Sequence, residues 1–260
     1  MTIGRPWGTL RYLGSGTGPL VVLLHPLALA GAVWRRTVDD LARDHRVVAP
    51  DARGHGESTW DGEPFTVEGL ADDVAALIEH LDTGPARIAA LSMGGCTAIA
   101  LAARRPELVH SLALADTTAD YGPGKGETWA ARAEQAVTVP RTEQLGFQLD
   151  RWFSGRFREQ DPAEVRRVSA VFLGTDSAAH AAACRALGGY DDSARLDRIT
   201  APTLVLVGEE DYATPPAMAQ ALHTGIAGSE LVVLPRTRHL SLVESPAARD
   251  AVRAHLTAAG

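Results

Sequence analysis

Three residue types in this 260-residue chain could together do covalent chemistry: a serine, a histidine and a small group of carboxylates. Ser92 stands in Ala90-Leu91-Ser92-Met93-Gly94-Gly95. Before it, Ala86-Arg87-Ile88-Ala89-Ala90-Leu91 is short, apolar and bounded by Gly84-Pro85, which predicts a buried strand. After it, the alanine-rich run from Thr97 to Arg105, closed by Pro106, predicts a helix. A serine on a strand-to-helix turn is held with its hydroxyl exposed. Small neighbours are required there because strand and helix backbones come close. The pattern is that of G-x-S-x-G, with Ala90 one methyl larger than the first glycine. The competing reading is a glycine-rich turn with an ordinary serine.

A serine hydroxyl is a weak nucleophile until a base takes its proton and a third group orients that base. On such a turn the acid and then the histidine come later in the chain. Asp211 follows the predicted strand Thr203-Leu204-Val205-Leu206-Val207-Gly208, in the loop Glu209-Glu210-Asp211-Tyr212-Ala213-Thr214-Pro215. His239 lies beyond the next predicted strand, Glu230-Leu231-Val232-Val233-Leu234. Both follow C-terminal strand ends, where open α/β sheets bind ligands. Glu209 and Glu210 compete with Asp211 as the acid, and Asp211 is preferred for its place before Tyr-Ala-Thr-Pro. The plain alternative for His239 is a surface histidine among arginines. A developing oxyanion needs two backbone N–H groups, expected from Met93 and from the loop after Leu24. Pro26 has no N–H, so Leu27 is the second donor. His25 is placed with the substrate contacts. It would brace the loop if it hydrogen bonds there, and a packed loop histidine is the plainer alternative. His55, in Arg53-Gly54-His55-Gly56, is assigned to the scaffold.

The surrounding elements must position these residues. Gly8 to Leu13 alternates with period two and predicts an edge strand. Leu20-Val21-Val22-Leu23-Leu24 is continuously apolar, as in a strand buried on both faces. Trp34 to Ala42 predicts a short helix, and Arg46 to Pro50 a strand. From Thr66 a helix carries Leu70, Val74, Leu77, Ile78 and Leu81 at helical spacing. Leu108 to Ala115 is a further strand. Strands alternating with helices imply a mostly parallel central sheet covered on both faces. From Tyr121 to about Arg195 the text is helical, and it is too long for a loop. This predicts a helical cap at 121–195, inserted between core segments 1–120 and 196–260. A helix from Pro216 and a last one from Pro246 to about Leu256 complete the expectation.

The chain carries 25 Lys and Arg against 32 Asp and Glu, a formal net charge of -7, and no long basic run, which argues against nucleic acid as a partner. Its two cysteines, Cys96 and Cys184, follow no disulfide or metal framework and are compatible with a reducing cytoplasm. The first residues have no apolar signal core, and no stretch reaches the length of a membrane span. No ligand-spaced His/Cys/Asp cluster and no dinucleotide fingerprint occurs, so neither metal nor organic cofactor is expected. The oligomeric state leaves no trace in the sequence.

The set His25-Pro26-Leu27, Asp51-Ala52-Arg53-Gly54-His55-Gly56-Glu57-Ser58, Leu91-Ser92-Met93-Gly94-Gly95, Asp211 and His239 resembles the α/β-hydrolase superfamily. Within it the chain is most similar to the 3-oxoadipate enol-lactonases. That likeness extends to Arg151-Trp152-Phe153, to Ala182-Ala183-Cys184-Arg185-Ala186-Leu187 and to His239-Leu240-Ser241 with Val243-Glu244. Four positions depart from it. Ala90 replaces a glycine, His25-Pro26 stands where those enzymes often carry Asn-Ser, Arg238 replaces a small residue, and Leu242 an asparagine. These bear on the substrate more than on the fold. The resemblance implies an α/β-hydrolase fold and a serine hydrolase that cleaves a small lactone or ester through an acyl-enzyme. Its substrate would be 3-oxoadipate enol-lactone or a related acidic lactone.

The alternatives are a carboxylesterase or cofactor-free perhydrolase, then a C–C hydrolase, then a small-molecule receptor of the same fold. A serine at the elbow argues against the dehalogenases and epoxide hydrolases that use a carboxylate there. Among the cap cations Arg151, Arg156, Arg158, Arg166, Arg167 and Arg185, Arg151 is singled out because it adjoins Trp152-Phe153. A guanidinium beside an aromatic wall suits a flat ring bearing a carboxylate. The alternative is an ion-paired Arg151 and a Trp152 that only packs.

Overall fold

The computed structural model describes residues 1–258. In chain order the elements are β1 (Thr2–Arg5), β2 (Gly8–Ser15), β3 (Leu20–Leu24), α1 (Arg35–Leu41), β4 (Arg46–Pro50), α2 (Val67–Leu81), β5 (Ala86–Leu91), α3 (Met93–Arg104) and β6 (Val109–Ala115). Then come α4 (Lys125–Thr138), α5 (Arg141–Trp152), α6 (Gly155–Gln160), α7 (Pro162–Gly174) and α8 (Ser177–Gly189). The chain ends with β7 (Thr203–Gly208), α9 (Pro216–Gly225), β8 (Glu230–Leu234), α10 (Ser241–Glu244) and α11 (Pro246–Ala258).

The eight strands form one sheet in the order β1-β2-β4-β3-β5-β6-β7-β8. The β1–β2 and β2–β4 pairs are antiparallel and the rest parallel. The expected edge strand Gly8 to Leu13 is therefore not the edge. β1 lies outside it, in register Ile3↔Leu10. Four residues, Thr-Ile-Gly-Arg, are too few to show a period.

The central strands are buried on both faces, and their alternation divides the core in two. Val22, Leu24, Ile88 and Ala90 face α2 and α3. Val21, Leu23, Ala89 and Leu91 face α1 and α11. α2 starts where Thr66 Oγ1 accepts the Gly69 N–H at 3.1 Å, satisfying one of the free donors of the first turn. It ends at Asp82, in the left-handed conformation.

Helices α4 to α8 are inserted between β6 and β7 and close over the strand ends. Their base is tied by a β-bridge between Asp120 and Asp191, and Lys125 pairs with Asp120. α4 and α8 pack together, and Trp129, Ala133, Cys184 and Leu187 extend the first core layer. Trp152, Phe157, Val168 and Phe172 extend the second. Glu244 fastens the start of α6 by accepting from Ser154, through its backbone N–H at 3.1 Å and through its hydroxyl.

Candidate active site

β5 delivers Ser92 to the C-terminal edge of the sheet with φ 54° and ψ −117°, a strained conformation that few non-glycine residues adopt. The turn is pinned from both sides. Ser92 donates its N–H to Ala115 O at 3.0 Å, and its carbonyl accepts Cys96 N–H at 3.0 Å and the Thr117 hydroxyl at 2.7 Å. A side chain at Gly94 would overlap the carbonyl oxygens of Leu24 and His25, and one at Gly95 would meet Thr117. The first turn of α3 thus runs against the end of β3. Ala90 is fully buried and tolerated, since the crowding falls on the two glycines after the serine.

Ser92, His239 and Asp211 lie in one hydrogen-bonded line. His239 Nε2 is 2.9 Å from Ser92 Oγ, and His239 Nδ1 is 2.8 Å from Asp211 Oδ2. Asp211 is 2% exposed. Its Oδ1 accepts the N–H groups of Ala213 and Thr214 at 2.7 and 3.1 Å, and its Oδ2 accepts the Thr214 hydroxyl at 2.8 Å. Burial pushes its carboxyl up, but the charge and hydrogen bond of His239 and the Thr214 bonds outweigh that and hold it below the usual range. Glu209 and Glu210 are both exposed. Glu209 accepts from Arg236 N–H at 3.1 Å and Glu210 lies 3.7 Å from Arg238, so neither competes for His239.

Met93, as first residue of α3, has no partner for its N–H within the helix. Leu27 lines the cavity above Ser92, in the loop that touches Gly94.

His25 is a correction. Its Nδ1 lies 2.8 Å from Pro26 O and its Nε2 accepts Ala52 N–H at 2.9 Å, so both ring nitrogens are taken. It is not among the cavity-lining residues. His25 braces the loop and does not line the cavity over Ser92. Burial lowers its pKa to about 4, keeping it neutral. His55, with its ring 5.4 Å away, is fully buried and lowered to about 3.

The cavity over Ser92 measures about 320 Å³ and reaches into the cap. Arg151 and Trp152 both line it. Trp152 is 4% exposed and stacks edge-on with Phe172, so it packs as well as lines. Phe153 is fully buried against Phe157 and faces elsewhere. Arg132 and His180, not singled out in the sequence, line it too. Among the described residues no group of three His, Cys, Asp or Glu could hold a metal ion, and no helix is long and apolar enough to cross a membrane.

Residues 19–246 match the family model described as alpha/beta hydrolase fold. The chain belongs to that family. It is 32% identical to 3-oxoadipate enol-lactonase 2 of Acinetobacter baylyi over 235 residues, 90% of this chain and 87% of the relative. The enol-lactonase structure from Burkholderia xenovorans LB400 superposes with a TM-score of 0.90 at 34% identity, covering 96% of each chain. A malate-bound thermophilic esterase from Thermogutta terrifontis gives 0.90 at 31%, covering 99% of this chain and 97% of that one. The protein is an alpha/beta hydrolase of the ester- and lactone-cleaving kind.

Proposed function

We propose that this enzyme hydrolyses a small lactone or ester bearing a carboxylate, 3-oxoadipate enol-lactone or a related acidic lactone, through an acyl-enzyme on Ser92. The observation that carries this reading is the Ser92–His239–Asp211 line opening into a cap cavity lined by arginine and tryptophan. Ser92 Oγ attacks the carbonyl carbon while His239 Nε2 takes its proton. Asp211 keeps the proton on Nδ1, so Nε2 is free to act as base. The N–H groups of Met93 and Leu27 receive the oxyanion. As the ring C–O bond breaks, the Nε2 proton passes to the leaving oxygen. Water, deprotonated by the same nitrogen, then splits the acyl–Ser92 bond and releases the acid.

Arg151 and Trp152 serve the carboxylate and the ring of the substrate. The similarity to two enol-lactonases supports a lactone. The malate-bound relative supports an anion, malate being a dicarboxylate. An esterase for open acidic esters is the second reading, favoured by that same relative. A panel of lactones and open esters, with 3-oxoadipate enol-lactone included, tests both. The proposal expects kcat/KM highest for an acidic lactone. A preference for neutral open esters would overturn it.

A further inference from the structure

Arg132 lies on α4, one turn past Trp129, and both side chains line the cavity that holds Ser92. Its guanidinium carbon stands 4.8 Å from the centroid of the Trp129 ring. Three other cap arginines have protein partners. Arg167 pairs with Glu164 at 2.5 Å, Arg158 with Asp150 at 3.2 Å, and Arg141 donates to Phe172 O at 2.8 Å. Arg132 is different. The titratable groups that act on it are Cys184, Tyr121 and Tyr212, none of them a carboxylate, and burial lowers its pKa. A half-buried cation without a counter-ion is unfavourable unless something else supplies the anion.

His180 lies on α8, one turn before Cys184, and lines the same cavity. Its Nδ1 is 3.2 Å from Arg141 Nη1 and accepts from it. Burial and the nearby cations, Arg132 among them, keep the ring neutral. A neutral ring that accepts at Nδ1 carries its proton on Nε2.

We propose that Arg132 and the Nε2–H of His180, over the face of Trp129, form with Arg151 one carboxylate subsite that selects substrates with an acidic acyl part. Arg132 presents a planar fork that matches a carboxylate through two hydrogen bonds. The substrate carboxylate supplies the charge that the protein leaves out. This subsite rests on the hydrolytic reading of Ser92.

Two measurements separate the two ideas. The first compares kcat/KM for the mono-4-nitrophenyl ester of adipic acid and for 4-nitrophenyl hexanoate, which differ only in the distal carboxylate. Arg132→Gln should lose about 10- to 100-fold on the acidic ester, the worth of a hydrogen bond to a charged group, and stay within about 3-fold on the neutral one. Arg132→Lys should recover part of the loss. His180→Phe, which removes the donor, should lose about 3- to 10-fold on the acidic ester alone. The second is a calorimetric titration of adipate into the Ser92→Ala protein with and without Arg132→Gln, where Kd should rise about 10-fold or more. Either an unchanged ester ratio or an unchanged adipate Kd overturns the subsite, and so does a protein that binds no adipate. If neither ester is turned over, the hydrolytic reading has failed and the adipate titration alone decides the subsite.

Discussion

Asp116 Oδ2 accepts the backbone N–H of Ser241 at 2.9 Å, two residues beyond His239. Its other oxygen accepts the N–H of Gly208 at 3.0 Å, three residues before Asp211. One fully buried carboxyl at the end of β6 therefore ties the two loops that carry His239 and Asp211 to the strand beside the elbow. Burial, and then the charge of Asp211, push the Asp116 carboxyl well above the usual range. Two full negative charges so close in the interior would repel, and Asp211, paired with His239, keeps the charge.

Removing that tie should loosen the site before it unfolds the protein. Asp116→Ala strands two buried N–H groups, at about 1–3 kcal/mol each, and puts alanine at φ 46°. Asp116→Asn tolerates that φ and keeps one acceptor, so it should cost about half as much. Urea unfolding of the two variants, with kcat alongside, checks this. Equal stability of the two would deny Asp116 its bridging role.

The serine's own backbone sets up a trade between stability and activity. Ser92 holds φ 54°, a conformation that costs about 1–3 kcal/mol for a residue with a side chain. Ser92→Gly should relieve part of that strain and raise Tm while abolishing turnover. Ser92→Ala should abolish turnover without raising Tm. A glycine variant no more stable than the alanine one would show that the surrounding hydrogen bonds already absorb the strain.

Those residues were legible because their positions are marked locally. Ser92 stands between an apolar run and an alanine-rich one, and Asp211 and His239 each follow a strand that ends in a turn. The choice of Asp211 over Glu209 and Glu210 followed from its place in the loop. The structure adds that Thr214 and Ala213 fold back onto its carboxylate. His25 takes the bracing role and not the substrate contact, because its ring is held by Ala52, distant in sequence, and no local pattern records that bond. Arg132 left only a Trp-x-x-Arg spacing on a mostly exposed helix. Whether such an arginine meets water or cavity depends on how α4 is rotated against α8, which composition does not encode. Nor does the sequence mark Arg167, whose partners Ala32 and Val33 lie 135 and 134 residues before it.

Acid should destabilise the fold through its buried histidines. His25 is neutral in the folded protein down to about 4, whereas the unfolded chain takes up a proton near 6.5. Between these values the unfolded state binds the extra proton, so stability falls as pH drops through that window, by at most about 1.4 kcal/mol per pH unit for this one group. His25→Gln keeps a donor and an acceptor but does not titrate. Its Tm should drop less than that of the parent between about pH 7 and pH 5. Parallel Tm–pH curves for the two proteins would mean that other groups carry the acid slope.

The cap and the loop that carries Leu27 should prove energetically coupled through Arg167, which Glu164 holds in place. Glu164 is 2% exposed yet ionised. Burial pushes its carboxyl up, but Arg167, Arg36 and Arg35 outweigh that and hold it below its ordinary value of 4.5. The stability it contributes is present above that value and is lost as pH falls through the lowered one. Arg167 grips it with Nη2 to Oε1 at 2.5 Å and Nε to Oε2 at 3.0 Å. The same guanidinium donates to Ala32 O at 2.6 Å and Val33 O at 3.0 Å, in the segment that follows Leu27. Thr175, just past α7, adds a hydrogen bond to Ala28 O at 2.8 Å. Breaking a buried pair from one side costs about 3–5 kcal/mol. Arg36 at 3.5 Å and Arg35 at 3.6 Å remain to soften it, so Arg167→Met should cost about 2–3 kcal/mol. Glu164→Leu in the Arg167→Met background should recover part of that, because the stranded charge is gone. Since the loop carries Leu27, Arg167→Met should also lower kcat more than it raises KM. A double-mutant cycle on urea unfolding measures the Glu164–Arg167 coupling within α7, and an Arg167→Met variant that loses stability with kcat unchanged would show that the cap does not hold the loop.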